Sequence, residues 1–64
     1  MFVNGKPREY REGLTLHGLL ADLQVNQHAV VVMHRDEIYR RGHVPDAPLA
    51  ERDVIEIVTM MQGG

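Results

Sequence analysis

Sixty-four residues make one domain, and a chain this short buries only about 60% of its unfolded surface, which leaves one small core and argues against an independent enzyme with a deep pocket. Seven basic and nine acidic side chains, mixed along the chain for a net charge of −2, argue against the clustered cations of a nucleic-acid footprint. The absence of cysteine removes disulfides, thiolate catalysis, iron–sulfur clusters and the usual structural zinc sites together.

The first residues, Met1-Phe2-Val3-Asn4-Gly5, lack the basic start and long apolar run of a signal peptide. No stretch approaches the ~20 apolar residues of a membrane span, so the expectation is a soluble, cytoplasmic protein with no membrane partner. Asn4-Gly5 is the preferred pair for a type I′ hairpin turn, because both central residues need positive φ. It predicts a strand at Met1 to Val3 and a second from Lys6 to Tyr10. Pro7 cannot donate a ladder hydrogen bond, which places the second strand at a sheet edge. Lys6, Arg8, Glu9, Arg11 and Glu12 keep that edge polar.

Gly13 breaks the strand, and Thr15 reads as a helix N-cap. Leu16, Leu19, Leu20 and Leu23 then follow at i, i+3, i+4 and i+7, one apolar helical stripe, and predict a helix from Leu16 to Gln24. Gly18 stands where a capping box has Glu or Gln; it is either room for a close neighbour or a tolerated weak helix position. Ala29 to Met33 is a short, β-branched apolar run suited to an interior strand. Arg35-Asp36-Glu37 turns the chain into a short returning strand at Ile38-Tyr39. From His43 to Ala50, Pro45 and Pro48 predict an irregular loop or one 3₁₀ turn with Val44 and Leu49 tucked beneath it.

Val54 to Thr59 is the strongest strand. Period-2 alternation around the charged Glu56 sends Ile55 and Ile57 inward and puts Val58 and Met60 on the face of Glu56. One apolar helical stripe covers one sheet face, so the fold class is α+β: a mixed sheet of four to five strands packed on one main helix. With the two terminal strands parallel at its centre, this is a ubiquitin-like β-grasp. Residues 1–60 form that domain and 61–64 a flexible tail ending in Gly63-Gly64, glycines that leave a thin backbone able to enter a narrow active site.

The Asn4-Gly5 hairpin, the Thr15-Leu16-His17 helix start with Leu19-Leu20, the His28 to Val32 strand, Asp53 to Val58 and the terminal Gly63-Gly64 together resemble the bacterial thiamin-biosynthesis sulfur carriers. The likeness runs from end to end and extends more distantly to the small subunit of molybdopterin synthase. It implies a carrier with no catalytic residues and no bound cofactor, whose Gly64 carboxylate is adenylated by an E1-like enzyme at the expense of ATP and converted to a thiocarboxylate. Further implied partners are a sulfur-donating enzyme and a thiazole synthase. Gly63 and Gln62 would thread the partner's channel. Two departures from the family pattern bear on turn geometry and partner choice: Arg52-Asp53 where many members have Gly-Asp, and Tyr39-Arg40-Arg41 where Val-Pro-Arg is common.

Docking is expected on the outward face of the last strand, at Glu56, Val58, Met60 and Met61, with neighbouring-strand packing of Val58 and Met60 as the rival account. Glu51, Asp53 and Glu56 are candidate steering charges. His17, His28, His34 and His43 show no metal-ligand spacing, although proximity of His34 and His43 is left open. Two other functions fit the same chain: a ubiquitin-like modifier joined through its tail to a lysine, and a plain β-grasp interaction module. A sulfur carrier for molybdopterin or another product is a further variant of the first.

Overall fold

The computed structural model describes residues 1–59. In chain order the elements are β1 (Phe2–Val3), β2 (Lys6–Pro7), α1 (Leu16–Asp22), β3 (Val30–His34), β4 (Glu37–Tyr39) and β5 (Val54–Thr59). They form one five-stranded sheet in the order β2-β1-β5-β3-β4. β5 lies at the centre, parallel to β1 and antiparallel to β3, so the mixed β-grasp sheet expected from the pattern is the one observed.

The hairpin turn has Asn4 at φ 54° and Gly5 at φ 80°, the two positive values a type I′ turn requires. Its second strand is shorter than the expected Lys6 to Tyr10. β2 stops at Pro7, and beyond it Arg8 continues the pairing, its N–H donating to the Met1 carbonyl at 2.8 Å and its carbonyl accepting from the Met1 amino group at 3.2 Å. Pro7 pairs with Phe2 at a position whose N–H would face away from β1, so its missing donor costs the ladder nothing on the sheet edge, as expected.

Thr15 caps the helix, accepting the Gly18 N–H on Oγ1 at 3.2 Å. A Cβ at position 18 would lie 3.3 Å from Leu14 Cδ1 and 3.4 Å from Thr15 Oγ1, so close packing is a reason for glycine here. The far end departs from expectation. The helix finishes at Asp22, and Gln24 takes φ 59° instead of extending it. The Val25 N–H reaches the Leu20 carbonyl at 2.9 Å and the Gln24 N–H the Ala21 carbonyl at 3.0 Å, the bond pair of a Schellman cap. Leucine periodicity continues through Leu23, but the cap overrides it, with glutamine where glycine is usual.

A left-handed non-glycine residue costs about 1–2 kcal/mol, partly offset by glycine's greater unfolded-state entropy. Gln24→Gly should therefore stabilise the protein by a few tenths to about 1 kcal/mol, read as a raised denaturation midpoint at unchanged m-value.

Leu16, Leu19, Leu20, Val30, Val32 and Ile55 are fully buried, with Ile57, Val3, Leu14 and Met1 around them. Leu23 is only partly buried, at the rim of this core. Val44 and Leu49 are buried under the loop as expected. That loop is tied to the helix start: the Leu16 N–H donates to the Ala47 carbonyl at 2.8 Å, and the Leu49 N–H to the Leu14 carbonyl at 2.9 Å. His17 donates through Nε2 to the Val44 carbonyl at 2.7 Å. The Asp46 carboxyl sits below its ordinary 3.8, chiefly through a hydrogen bond from Thr15, with smaller help from the His17 N–H and ring against a desolvation that opposes it.

Candidate functional site

Because β5 is central and α1 covers one face, the other face of the sheet is open. Even-numbered residues of β5 point there: Val54 is 55% and Val58 43% exposed, with Glu56 exposed between them. Register brings further apolar side chains alongside. Phe2, 47% exposed, pairs with Val54; Val31 pairs with Val58; Met33 sits between Glu56 on β5 and Ile38 on β4. Ile38 is 67% exposed. The result is an apolar band across four strands with one carboxylate near its middle, of the kind that marks a partner-binding surface.

Two of the expected docking residues, Glu56 and Val58, thus lie on this band. Met60, Met61, Gln62, Gly63 and Gly64 lie outside the described residues. Phe2, Val54, Ile38, Val31 and Met33 were missed by sequence reasoning. Alternation identifies the outward residues of one strand, but only cross-strand register shows which residues of other strands stand beside them.

At the start of β5 the structure revises one reading. Asp53 is not a free steering charge. Its Oδ2 accepts from His34 Nε2 at 2.8 Å and from the Ala50 N–H at 2.8 Å, and Arg35 reaches the carboxylate at 3.3 and 3.4 Å. A carboxylate only accepts, so His34 Nε2 carries the hydrogen. The His34 side chain is 3% exposed and that of Asp53 11%. Burial by itself would raise the Asp53 carboxyl; the hydrogen bonds from His34, Ala50 and Arg35, with the His34 charge, outweigh it and hold the group below its ordinary 3.8. The Asp53 N–H also donates to the Ala50 carbonyl at 3.1 Å. These bonds close the turn, and Arg52 needs no positive φ there.

His43 lies beside Val31, Arg40 and Arg41 in a shallow groove that His34 does not line. Among the described residues no three His, Cys, Asp or Glu side chains gather as a metal site. No described helix is long and apolar enough to cross a membrane.

At the other end of β5, Asn4 does more than turn the hairpin. Its backbone N–H donates to the Ile55 carbonyl at 2.9 Å. Its side-chain amide then accepts the Ile57 N–H at 2.7 Å and donates to the Ile57 carbonyl at 3.2 Å. An amide side chain carries the same donor and acceptor as a peptide, so Asn4 extends the β1 ladder by one step along β5. The base of the segment leading to Met60 is thereby held on both sides.

Val58→Asp tests the open face without disturbing the core. It should leave the unfolding midpoint within about 0.5 kcal/mol of wild type, as an exposed substitution does. Binding to a partner that docks on this band, read by calorimetry, should weaken at least about tenfold if Val58 is central to the interface.

This geometry offers an open, largely apolar sheet face on which a partner can dock. Comparison with known proteins bears on what kind of protein carries it. A family model described as "ThiS family" matches residues 1–64. A protein named "Sulfur carrier protein ThiS" from Thermus thermophilus is 41% identical over 64 residues, covering 100% of this chain and 98% of the relative. Another of the same name from Bacillus subtilis is 35% identical over 63 residues, covering 97% and 96%. With one small β-grasp domain matched from end to end, the chain belongs to the ThiS family.

Proposed function

We propose that this chain is a sulfur carrier for thiamin thiazole synthesis and acts as a substrate of its partner enzymes. The observation that supports the reading most is the match to a sulfur carrier over the whole of this chain, Gly63-Gly64 included. A carboxylate is a poor acyl donor because its leaving group would be oxide. The Gly64 carboxylate attacks the α-phosphorus of ATP on an E1-like enzyme, giving an acyl adenylate and pyrophosphate. A hydrosulfide equivalent from a sulfur-donating enzyme then displaces AMP and leaves a thiocarboxylate.

The thioacid is the nucleophile delivered to a thiazole synthase. A folded domain that docks through the Glu56–Val58 face raises its effective concentration at the acceptor. Gln62 and Gly63 form the thin stem that threads the channel, and Met60 and Met61 extend the docking surface. ATP belongs to the activating enzyme, and this chain binds no cofactor of its own.

Intact mass after incubation with ATP, a sulfur source and the activating enzyme tests the proposal. Exchange of one oxygen for one sulfur, with thiol-reactive labelling at Gly64, is the expected result. An unchanged mass beside a demonstrably active enzyme overturns it, and a tail recovered in an isopeptide bond to lysine favours a modifier instead.

A further inference from the structure

α1 has seven residues, about 10 Å of helix, too little to cover the whole inner face of the sheet. On that side a cleft of about 460 Å³ opens between the β1–β2 hairpin and the segment that leaves the helix. Leu23 and Val25 provide an apolar wall, and Thr59, the last described residue of β5, closes one end. Lys6 and Arg8 stand on the other side. Lys6 pairs with Val3 and Arg8 bonds to Met1, which puts both cations on the inner face with those buried residues.

No carboxylate is among the described residues lining the cleft, and neither cation takes part in an ion pair among them. Residues two apart on an extended chain are about 6.5 Å from each other, close enough for one acceptor group to lie between them.

The strand edge adds a second feature. Ile57 turns its N–H and carbonyl to Asn4, so by the alternation of a ladder Thr59 turns its own to the same side, away from β3. Beyond Asn4, no described backbone group bonds to Thr59 there. Main-chain groups at an open edge, beside an apolar wall and two cations with no ion-pair partner among the described residues, match an extended peptide that carries an acid.

We propose that this cleft receives an extended, acid-bearing segment of the activating enzyme, laid along β5 at Thr59 with a carboxylate side chain between Lys6 and Arg8. The inference rests on the sulfur-carrier reading, which supplies the partner. Gly64 lies five positions beyond Thr59, a reach of at most about 18 Å, so the segment fixes the carrier's pose at a distance from the reacting carboxylate. The apolar band on the opposite face and this cleft then grip the sheet from both sides.

Lys6 is the chain's sole lysine, which makes a direct test possible. Zero-length carbodiimide crosslinking of the full chain with the purified activating enzyme, followed by peptide sequencing, should join Lys6 to an Asp or Glu of that enzyme. The Lys6→Glu/Arg8→Glu variant should bind the enzyme at least about tenfold more weakly, with a flatter salt dependence and an unchanged unfolding midpoint. Arg40→Glu/Arg41→Glu changes net charge equally at the other edge and should weaken binding by less than about threefold.

Lys6 joined to Gly64, equal losses in the two double variants, or normal binding by Lys6→Glu/Arg8→Glu would each overturn the proposal. If wild type loads sulfur while the cleft variant binds normally, only this inference falls. If wild type never loads, the carrier reading falls and takes the inference with it.

Discussion

Deleting Gly64 is expected to reduce sulfur loading at least about 10²-fold while leaving the fold intact. One residue fewer withdraws the terminal carboxylate by about 3.3 Å, and a misplacement of even 1 Å in a positioned reactant has effects of that order. Chain ends contribute little to stability unless they are tied down, so the unfolding midpoint should not move. Gly63→Val is the companion variant. A β-branched side chain restricts the backbone and thickens the stem, so loading should fall with Gly64 still present. If either variant loads at the wild-type rate, the diglycine is not the acceptor of activation.

Replacing Asp53 should give the largest loss of stability at any polar position considered. Asp53→Ala leaves the nearly inaccessible His34 ring nitrogen without its 2.8 Å partner and removes the acceptor for the Ala50 N–H. The buried His34 donor, once orphaned, costs about 1–3 kcal/mol, while the exposed Ala50 N–H can turn to water, so a total of about 1–3 kcal/mol is expected from urea denaturation. A single small core rarely supplies more than about 3–5 kcal/mol, so this loss should be a large fraction of the total stability and leave a measurable unfolded population at room temperature. Arg35→Ala should matter far less, about 0–1 kcal/mol, because its side chain is mostly exposed.

The same residue sets a dependence on pH. Its folded-state value lies below the ordinary 3.8, so the stabilisation is complete above about pH 4–5 and is lost as pH falls through the folded value. The stability difference between wild type and Asp53→Asn should therefore shrink between pH 6 and pH 3, followed by thermal unfolding. A difference that grew on acidification would contradict the sign.

Local chemistry was legible wherever the relevant neighbours lay close in sequence. The Asn4-Gly5 turn, the Thr15 cap, the leucine stripe and the full extent of Val54–Thr59 all follow from spacing and from groups within one turn of each other. Those patterns were enough for a helix on one face of a mixed sheet, and the inward Ile55 and Ile57 with outward Glu56 and Val58 followed from period two. Gln24 shows the limit of periodicity, because the bonds that stop the helix are made by backbone groups that any residue carries.

What tertiary structure alone decided involves partners far apart in the chain. Asp53 looked like a surface acid until folding placed it 2.8 Å from His34, nineteen positions away. Asn4 became a strand surrogate only because β5 passes beside it, fifty-three positions on. Phe2, Val31 and Ile38 joined Val58 as one surface only through register, and Lys6 and Arg8 flank a cleft only because the helix is too short to fill it. Sequence determines which side chains a strand or helix turns outward; which of them become neighbours depends on pairing and packing between segments, and local periodicity carries no record of that.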